Sequence, residues 1–156
     1  MPATDAERPL TPGERALAVS VFGEALDPEP VRILARKWWP LQPRGMAMAP
    51  DGKLWLHPRS PWLSGDFARE PAGTQGLFVH ELTHVWQVQR RGRWHLILLR
   101  HPFCRYGYRI VPGRPFARYG LEQQAEMVRH LFLWRQGIEA RGAAPQEMLE
   151  EVVRFT

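Results

Sequence analysis

An α+β fold is what the order of local signals predicts. Strand-like segments fall between residues 31 and 57, around a hairpin signal. Two well-patterned helical segments follow, at about 75–91 and 121–137. A chain of 156 residues is most simply one domain, large enough for a core of its own. Residues 1–10 read as a flexible lead-in and 11–156 as a single domain.

The first helix starts at Thr11-Pro12-Gly13-Glu14. Thr11 can cap, Pro12 suits the first turn, and Glu14 completes a capping box. The helix is expected to run to about Leu26, where Asp27-Pro28-Glu29-Pro30 stops it. Val31–Ala35 reads as a short strand. Met46–Ala49 and Lys53–His57 flank Pro50-Asp51-Gly52, a hairpin signal. Pro58 follows the second of these strands and suggests an edge position. Residues 58–73 are rich in Pro, Gly and Ser and read as a loop. Thr74 is a plausible N-cap for a helix over Gln75–Arg91, and Gly92 ends it.

The stretch 92–120 is less regular. Trp94–Arg100 fits either a strand or a short helix. Tyr106–Val111 alternates like a strand and turns at Pro112-Gly113. Leu121–Gly137 is a second good helix, with Leu121, Ala125, Val128 and Phe132 at core spacing. Residues 137–144 are a break, and Pro145–Phe155 a short last helix. No internal repeat, heptad run or low-complexity tract is present.

Composition narrows the function classes. The hydrophobic fraction of 44% and charged fraction of 24% are those of a soluble globular protein. The seven tryptophans point to aromatic packing or an aromatic-lined cleft. The net charge of +5 permits an acidic partner. The arginines are scattered, however, and read as a solvated basic surface. No zinc ribbon, recognition motif or clustered basic stripe is present, so a nucleic-acid partner is not expected. The apolar runs are too short to span a bilayer. The first residues lack the apolar core of a signal peptide, so the expectation is a protein that is cytoplasmic as made, with non-standard secretion open to it. The single cysteine, Cys104, excludes an intrachain disulfide and fits a small buried apolar role.

The chemistry concentrates in His80-Glu81-Leu82-Thr83-His84. On a helix, residues four apart share a face, so His80 and His84 aim their imidazoles at one point. Glu81 borders the same space. Two neutral imidazoles suit Zn²⁺, and a carboxylate beside the open coordination position can take a proton from water there. A catalytic zinc usually has three protein ligands. Glu122 and Glu126 lie one turn apart on the later helix. Glu122 can be the third ligand, and Glu126 can accept the free ring N–H of a ligating histidine. Trp86 and Gln87 read as facing away from this site. His57, His95, His101 and His130 read as non-ligands.

H-E-x-x-H followed by a helix bearing E-x-x-x-D resembles the gluzincin metallopeptidases, with Glu126 where many members carry Asp. His80 to Gln87, taken with Tyr119 to Glu126, is similar to bacterial proteins described as Vgr-related zinc-dependent proteases. The match covers the two core helices and, more weakly, Phe22-Gly23-Glu24 and the hairpin. The resemblance implies a compact zincin-like fold in its minimal gluzincin form: a small N-terminal sheet whose edge strand packs on the motif helix, and a second ligand-bearing helix. It implies Zn²⁺ on His80, His84 and Glu122, with Glu81 as general base for peptide-bond hydrolysis by a metal-activated water. Tyr119 is the first choice for an oxyanion donor, with Tyr106, Tyr108, His95 and His101 in reserve. Leu54, Trp55 and Leu56 would offer a strand edge to an extended peptide. The implied partners are a peptide or protein substrate and a secretion-system or toxin protein. The competing reading is a non-catalytic adaptor, zinc-stabilised or metal-free.

Overall fold

A computed structural model describes residues 7–99 and 105–156; His101 and Cys104 lie outside the described residues. In chain order the elements are β1 (Glu7–Pro9), α1 (Pro12–Phe22), β2 (Arg32–Leu34), β3 (Ala47–Met48), β4 (Leu54–Leu56), α2 (Ala72–Arg91), α3 (Arg93–Leu99), α4 (Leu121–Arg135) and α5 (Gln146–Val152). The fold is α+β.

The sheet is small and mixed, with strand order β1-β2-β4-β3. β1 and β2 are antiparallel, β2 and β4 parallel, and β3 and β4 antiparallel. Two expectations change here. Residues 7–10 are not a flexible lead-in, because Glu7–Pro9 pair with β2 and Leu10 is buried. The strand Leu54–Leu56 is not an edge: β2 takes one side of it and β3 the other. Leu54 and Leu56 are core residues, so neither they nor Trp55 can add a substrate strand at that position. Pro58 is compatible with an interior strand because it falls after the last paired residue.

The capping box at α1 forms as expected. Thr11 Oγ1 accepts the Glu14 N–H at 3.1 Å, and the Glu14 carboxylate accepts the Thr11 N–H at 2.8 Å. The helix ends at Phe22, and Gly23, with φ of 56°, leads into a 3-10 turn over Gly23–Ala25. The motif helix starts earlier than the sequence suggests. Ala72 is its first residue, Pro71 stands at the N-cap, and Thr74 sits inside the first turn with its N–H on Pro71 O. A proline is well suited to this junction, since its own missing N–H needs no partner. Gly92 ends α2 with a φ of 81°.

From Gly76 to Gln87 only Leu77 is not fully buried, so α2 is the internal helix of the domain. It packs on α4 in antiparallel fashion: Gly76 meets Arg129 and Leu133, while Gln87 meets Leu121 and Gln124. A Cβ at Gly76 would lie 3.3 Å from Leu133 Cδ2, so the missing side chain lets the helices approach.

The expected strand over Tyr106–Val111 is absent. The segment is extended chain whose polar groups are taken by side chains instead of a ladder. Gln123 Nε2 donates to Gly107 O, and the Val111 N–H donates to the Tyr119 hydroxyl. The turn at Pro112-Gly113 is present, closed by the Arg114 N–H on Val111 O. The stretch that fitted either a strand or a short helix is helical over Arg93–Leu99, and the last helix is shorter at both ends than expected.

Candidate metal centre

The antiparallel α2–α4 contact brings three buried side chains together. His80 Nε2 and His84 Nε2 each lie 3.2 Å from Glu122 Oε2. One ligand atom from each of the three falls within 4.8 Å of the others. The two imidazoles cross edge to face, with ring centroids 5.0 Å apart. Bonds of about 2.0–2.2 Å in a tetrahedral zinc site put neighbouring ligand atoms roughly 3.3–3.6 Å apart. The nitrogen–oxygen separations are close to that spacing, and the donor set suits zinc. His80, His84 and Glu122 could therefore hold a metal ion.

Hydrogen-bond accounting around the two histidines favours a cation at the same point. Gln87 Nε2 donates to Leu121 O and to Gln124 Oε1, each at 3.0 Å. Gln124 Nε2 in turn donates to Phe116 O and Tyr119 O. This network leaves Gln87 Oε1 facing His84 Nδ1 at 2.8 Å, so Nδ1 must carry the proton. His84 Nε2 then turns a lone pair, or a second proton, toward Glu122. His80 is held the same way, with Nδ1 2.8 Å from Glu126 Oε1. Two imidazole nitrogens and a carboxylate oxygen converging in a buried space call for positive charge, which a ring proton or a bound cation could supply.

Protons on the histidines supply part of that charge. Burial pulls the His80 imidazole down, but hydrogen bonds with Glu122 and Glu126 and the charge of Glu81 outweigh it, and His80 is raised to about 9. Burial pushes Glu126 up, yet hydrogen bonds from His130 and His80 and the charge of Arg129 hold it well below the usual carboxylate range. Glu126 is the hub of a second relay. His130 Nε2 reaches Glu126 Oε2 at 3.2 Å, and Tyr108 O–H donates to His130 Nδ1 at 2.7 Å. Burial is also the main reason Tyr108 is pushed up to about 12.

Of the residues singled out from sequence, His80, Glu81, His84, Glu122 and Glu126 all lie at this centre. Glu81 is buried, and its charge is felt at His80. Tyr119 is placed differently. Its ring belongs to the core and its hydroxyl accepts the Val111 N–H, so its described contacts do not reach the three ligands. Tyr106 is nearer, its ring stacked 6.1 Å from His80. Gln87 does not face away: it is the support of His84. The signal for it was available, since i and i+3 on a helix are neighbours. Trp86 packs on Phe116 and Phe155, as a structural residue should. His57 and His95 stand outside the cluster. A cavity of about 460 Å³ is lined by Gln87 and Glu122, with Trp86 and Phe116 in its wall and Arg90 and Arg91 beside them; His80, Glu81 and His84 do not line it.

No protein-family profile matches the sequence. The type VI secretion system spike protein VgrG2b of Pseudomonas aeruginosa is 36% identical over 139 residues, which cover 85% of this chain. The chain spans only 13% of that protein's length. The solved structure of the effector domain of Pseudomonas aeruginosa VgrG2b superposes with a TM-score of 0.72 at 32% identity, covering 96% of this chain and 83% of the domain. Likeness in both sequence and fold, over nearly the whole chain, shows that it belongs to the family of the VgrG2b effector domain.

Proposed function

We propose that this chain is a zinc-dependent peptidase of gluzincin type, acting as an effector delivered by a type VI secretion apparatus. The observation that carries the reading is the convergence of His80 Nε2, His84 Nε2 and Glu122 Oε2 beside the buried Glu81. Its kinship with an effector domain supports export by the apparatus. The partners on this reading are the secretion machinery and a peptide or protein substrate.

His80, His84 and Glu122 would hold the zinc. Zinc bound there would act as a Lewis acid toward a water and toward the scissile carbonyl. Glu81 accepts the proton of the attacking water as its oxygen bonds to the carbonyl carbon. It returns that proton to the amide nitrogen as the C–N bond breaks. Glu126 and Gln87 keep the two imidazoles in the Nδ1–H tautomer, so each Nε2 stays available. Tyr106 takes over the role first given to Tyr119. Its ring lies against His80, from where its hydroxyl can donate to the carbonyl oxygen as negative charge develops.

Metal analysis and cleavage of a broad peptide panel test this together. Wild type should carry close to one zinc per chain, and His80→Ala and Glu122→Ala should lose it. Glu81→Gln should keep the zinc and lose all cleavage. If wild type and Glu81→Gln hold zinc and process the panel alike, the peptidase reading fails and an adaptor role takes its place.

A further inference from the structure

The sheet side of the molecule carries a feature that peptide hydrolysis does not use. Two loops, 36–46 and 58–63, expose large apolar side chains. Trp38, Trp39, Met46, Trp62 and Leu63 are each about two-fifths exposed, and Leu41 is 78% exposed. Scattered apolar residues on a surface are ordinary, but three tryptophans and a leucine in adjoining loops are not.

These side chains are held outward by construction. Gln42, not its apolar neighbours, is the buried residue of the first loop. Its Oε1 accepts the Trp38 N–H at 2.7 Å, and its Nε2 donates to Met46 O at 2.9 Å and to Trp55 O at 3.2 Å. The loop therefore closes around an amide fixed to β4, and Trp39 and Leu41 are left at its tip. Trp38 leans on Trp55, with ring centroids 5.1 Å apart. The second loop is tied by the Trp62 N–H on Ser60 Oγ and the Leu63 N–H on Ser60 O.

The charge around these apolar groups is of one sign. Arg36, Lys37, Arg44 and Arg59 are cations of the two loops, and none of them joins an ion pair among the described residues. Asp51 is the sole acid between residues 35 and 65. Its carboxylate already accepts from Trp55 Nε1 and the Lys53 N–H. The two loops meet at the end of β4: Gln42 and Trp38 of the first contact Trp55, and the second leaves the strand just beyond Leu56. Amphipathic indoles interleaved with arginine and lysine are the composition that settles at a lipid headgroup layer. The complement of such a face is a negatively charged bilayer.

We propose that loops 36–46 and 58–63 form a peripheral docking surface for an anionic lipid bilayer. Trp39, Leu41 and Trp62 enter the headgroup layer, and Arg36, Lys37, Arg44 and Arg59 lie against its phosphates. The attachment is superficial, since no helix among the described residues is long and apolar enough to cross a membrane. It stands or falls independently of the metal centre.

Co-sedimentation of the intact protein with vesicles tests it. Binding is expected to vesicles in which about a third of the phosphatidylcholine is replaced by phosphatidylglycerol, to weaken with salt, and to be slight on phosphatidylcholine alone. Lys37→Ala with Arg44→Ala and Arg59→Ala should weaken it about a hundredfold, at roughly fivefold per cation. Arg93→Ala with Arg118→Ala and Arg141→Ala removes the same charge elsewhere and should change it little. Leu41→Ser, at a side chain too exposed to affect folding, should weaken binding by roughly fivefold to tenfold. Equal loss in both charge variants, equal binding to neutral vesicles, or no binding to either would overturn the proposal. So would patch variants that lose affinity for a single-stranded oligonucleotide while still binding vesicles.

Discussion

Glu14 and Glu122 are both buried carboxylates in the first turn of a helix, and their surroundings give them opposite roles. Glu14 is surrounded by donors. Arg8 Nη1 and Nη2, the Thr11 N–H and the Phe67 N–H all point at it, at 2.8–2.9 Å. Arg8 also donates to Ser64 O, so one carboxylate ties β1, α1 and the loop before α2. Every lone-pair direction of Glu14 is used, and nothing there asks for a ligand. Glu122 Oε2 instead faces two imidazole nitrogens whose rings are already anchored through Nδ1. Burial of a carboxylate is common to both sites. What separates the two is the kind of partner: fixed N–H donors surround Glu14, whereas Glu122 meets imidazole nitrogens that could turn to a metal ion as well as to a proton.

The largest expected effect follows from adding and removing metal. Zinc at about a thousand times its dissociation constant should stabilise the fold by about 4 kcal/mol. For a domain of this size that raises Tm by roughly 8–16 °C, and a chelator should reverse it. Glu122→Ala should abolish the zinc-dependent rise. An unchanged rise in that variant would show that the metal sits elsewhere.

Glu14→Ala should act in the opposite manner. It leaves Arg8 and the Phe67 N–H without their acceptor and should cost about 3 kcal/mol, read by urea denaturation. That cost should be the same with zinc present or chelated. A cost that depended on zinc would remove the distinction between the two carboxylates.

The supports of the two histidines come next in size. Gln87→Leu and Glu126→Ala should each weaken zinc binding by about tenfold to a hundredfold, measured by competition with a chromogenic chelator. The fold should persist in both. Unchanged affinity would reduce the Nδ1 contacts to packing.

The cluster of His80, His84 and Glu122 was legible because its signal is local: a pentapeptide at helical spacing, and a Glu pair one turn apart on an amphipathic helix. The capping box of α1 was legible for the same reason. Gln87 was missed although the spacing was equally local, because a glutamine at i+3 looks like ordinary polar decoration until its acceptor is known to face His84. The position of β4 was not legible at all. Whether Leu54–Leu56 lies inside or at the edge depends on its parallel pairing with β2, which no local pattern encodes. Tyr106 and Tyr119 illustrate the same limit. Both precede the ligand helix, and only the path of the chain after α3 decides which one reaches His80.

A third carboxylate completes the series with the smallest effect. Glu150 on α5 binds Arg135 of α4 through two hydrogen bonds, at 2.9 and 2.6 Å, but both side chains are about two-fifths exposed. Solvent screening limits such a pair to well under about 1 kcal/mol. The hydrogen bond from Arg135 holds the Glu150 carboxyl below its ordinary value of 4.5. In the unfolded chain the acid binds its proton first as pH falls. The stabilisation is therefore fully present above about pH 4.5 and disappears as pH drops through the folded-state value. Wild type and Glu150→Gln, compared by urea denaturation across that window, should differ slightly above it and converge below it. Added salt should shrink the difference. A difference that survives in strong acid would mean that Glu150 contributes packing to the α4–α5 contact and not charge. It would then belong with neither Glu14 nor Glu122, whose effects both depend on an ionised carboxylate.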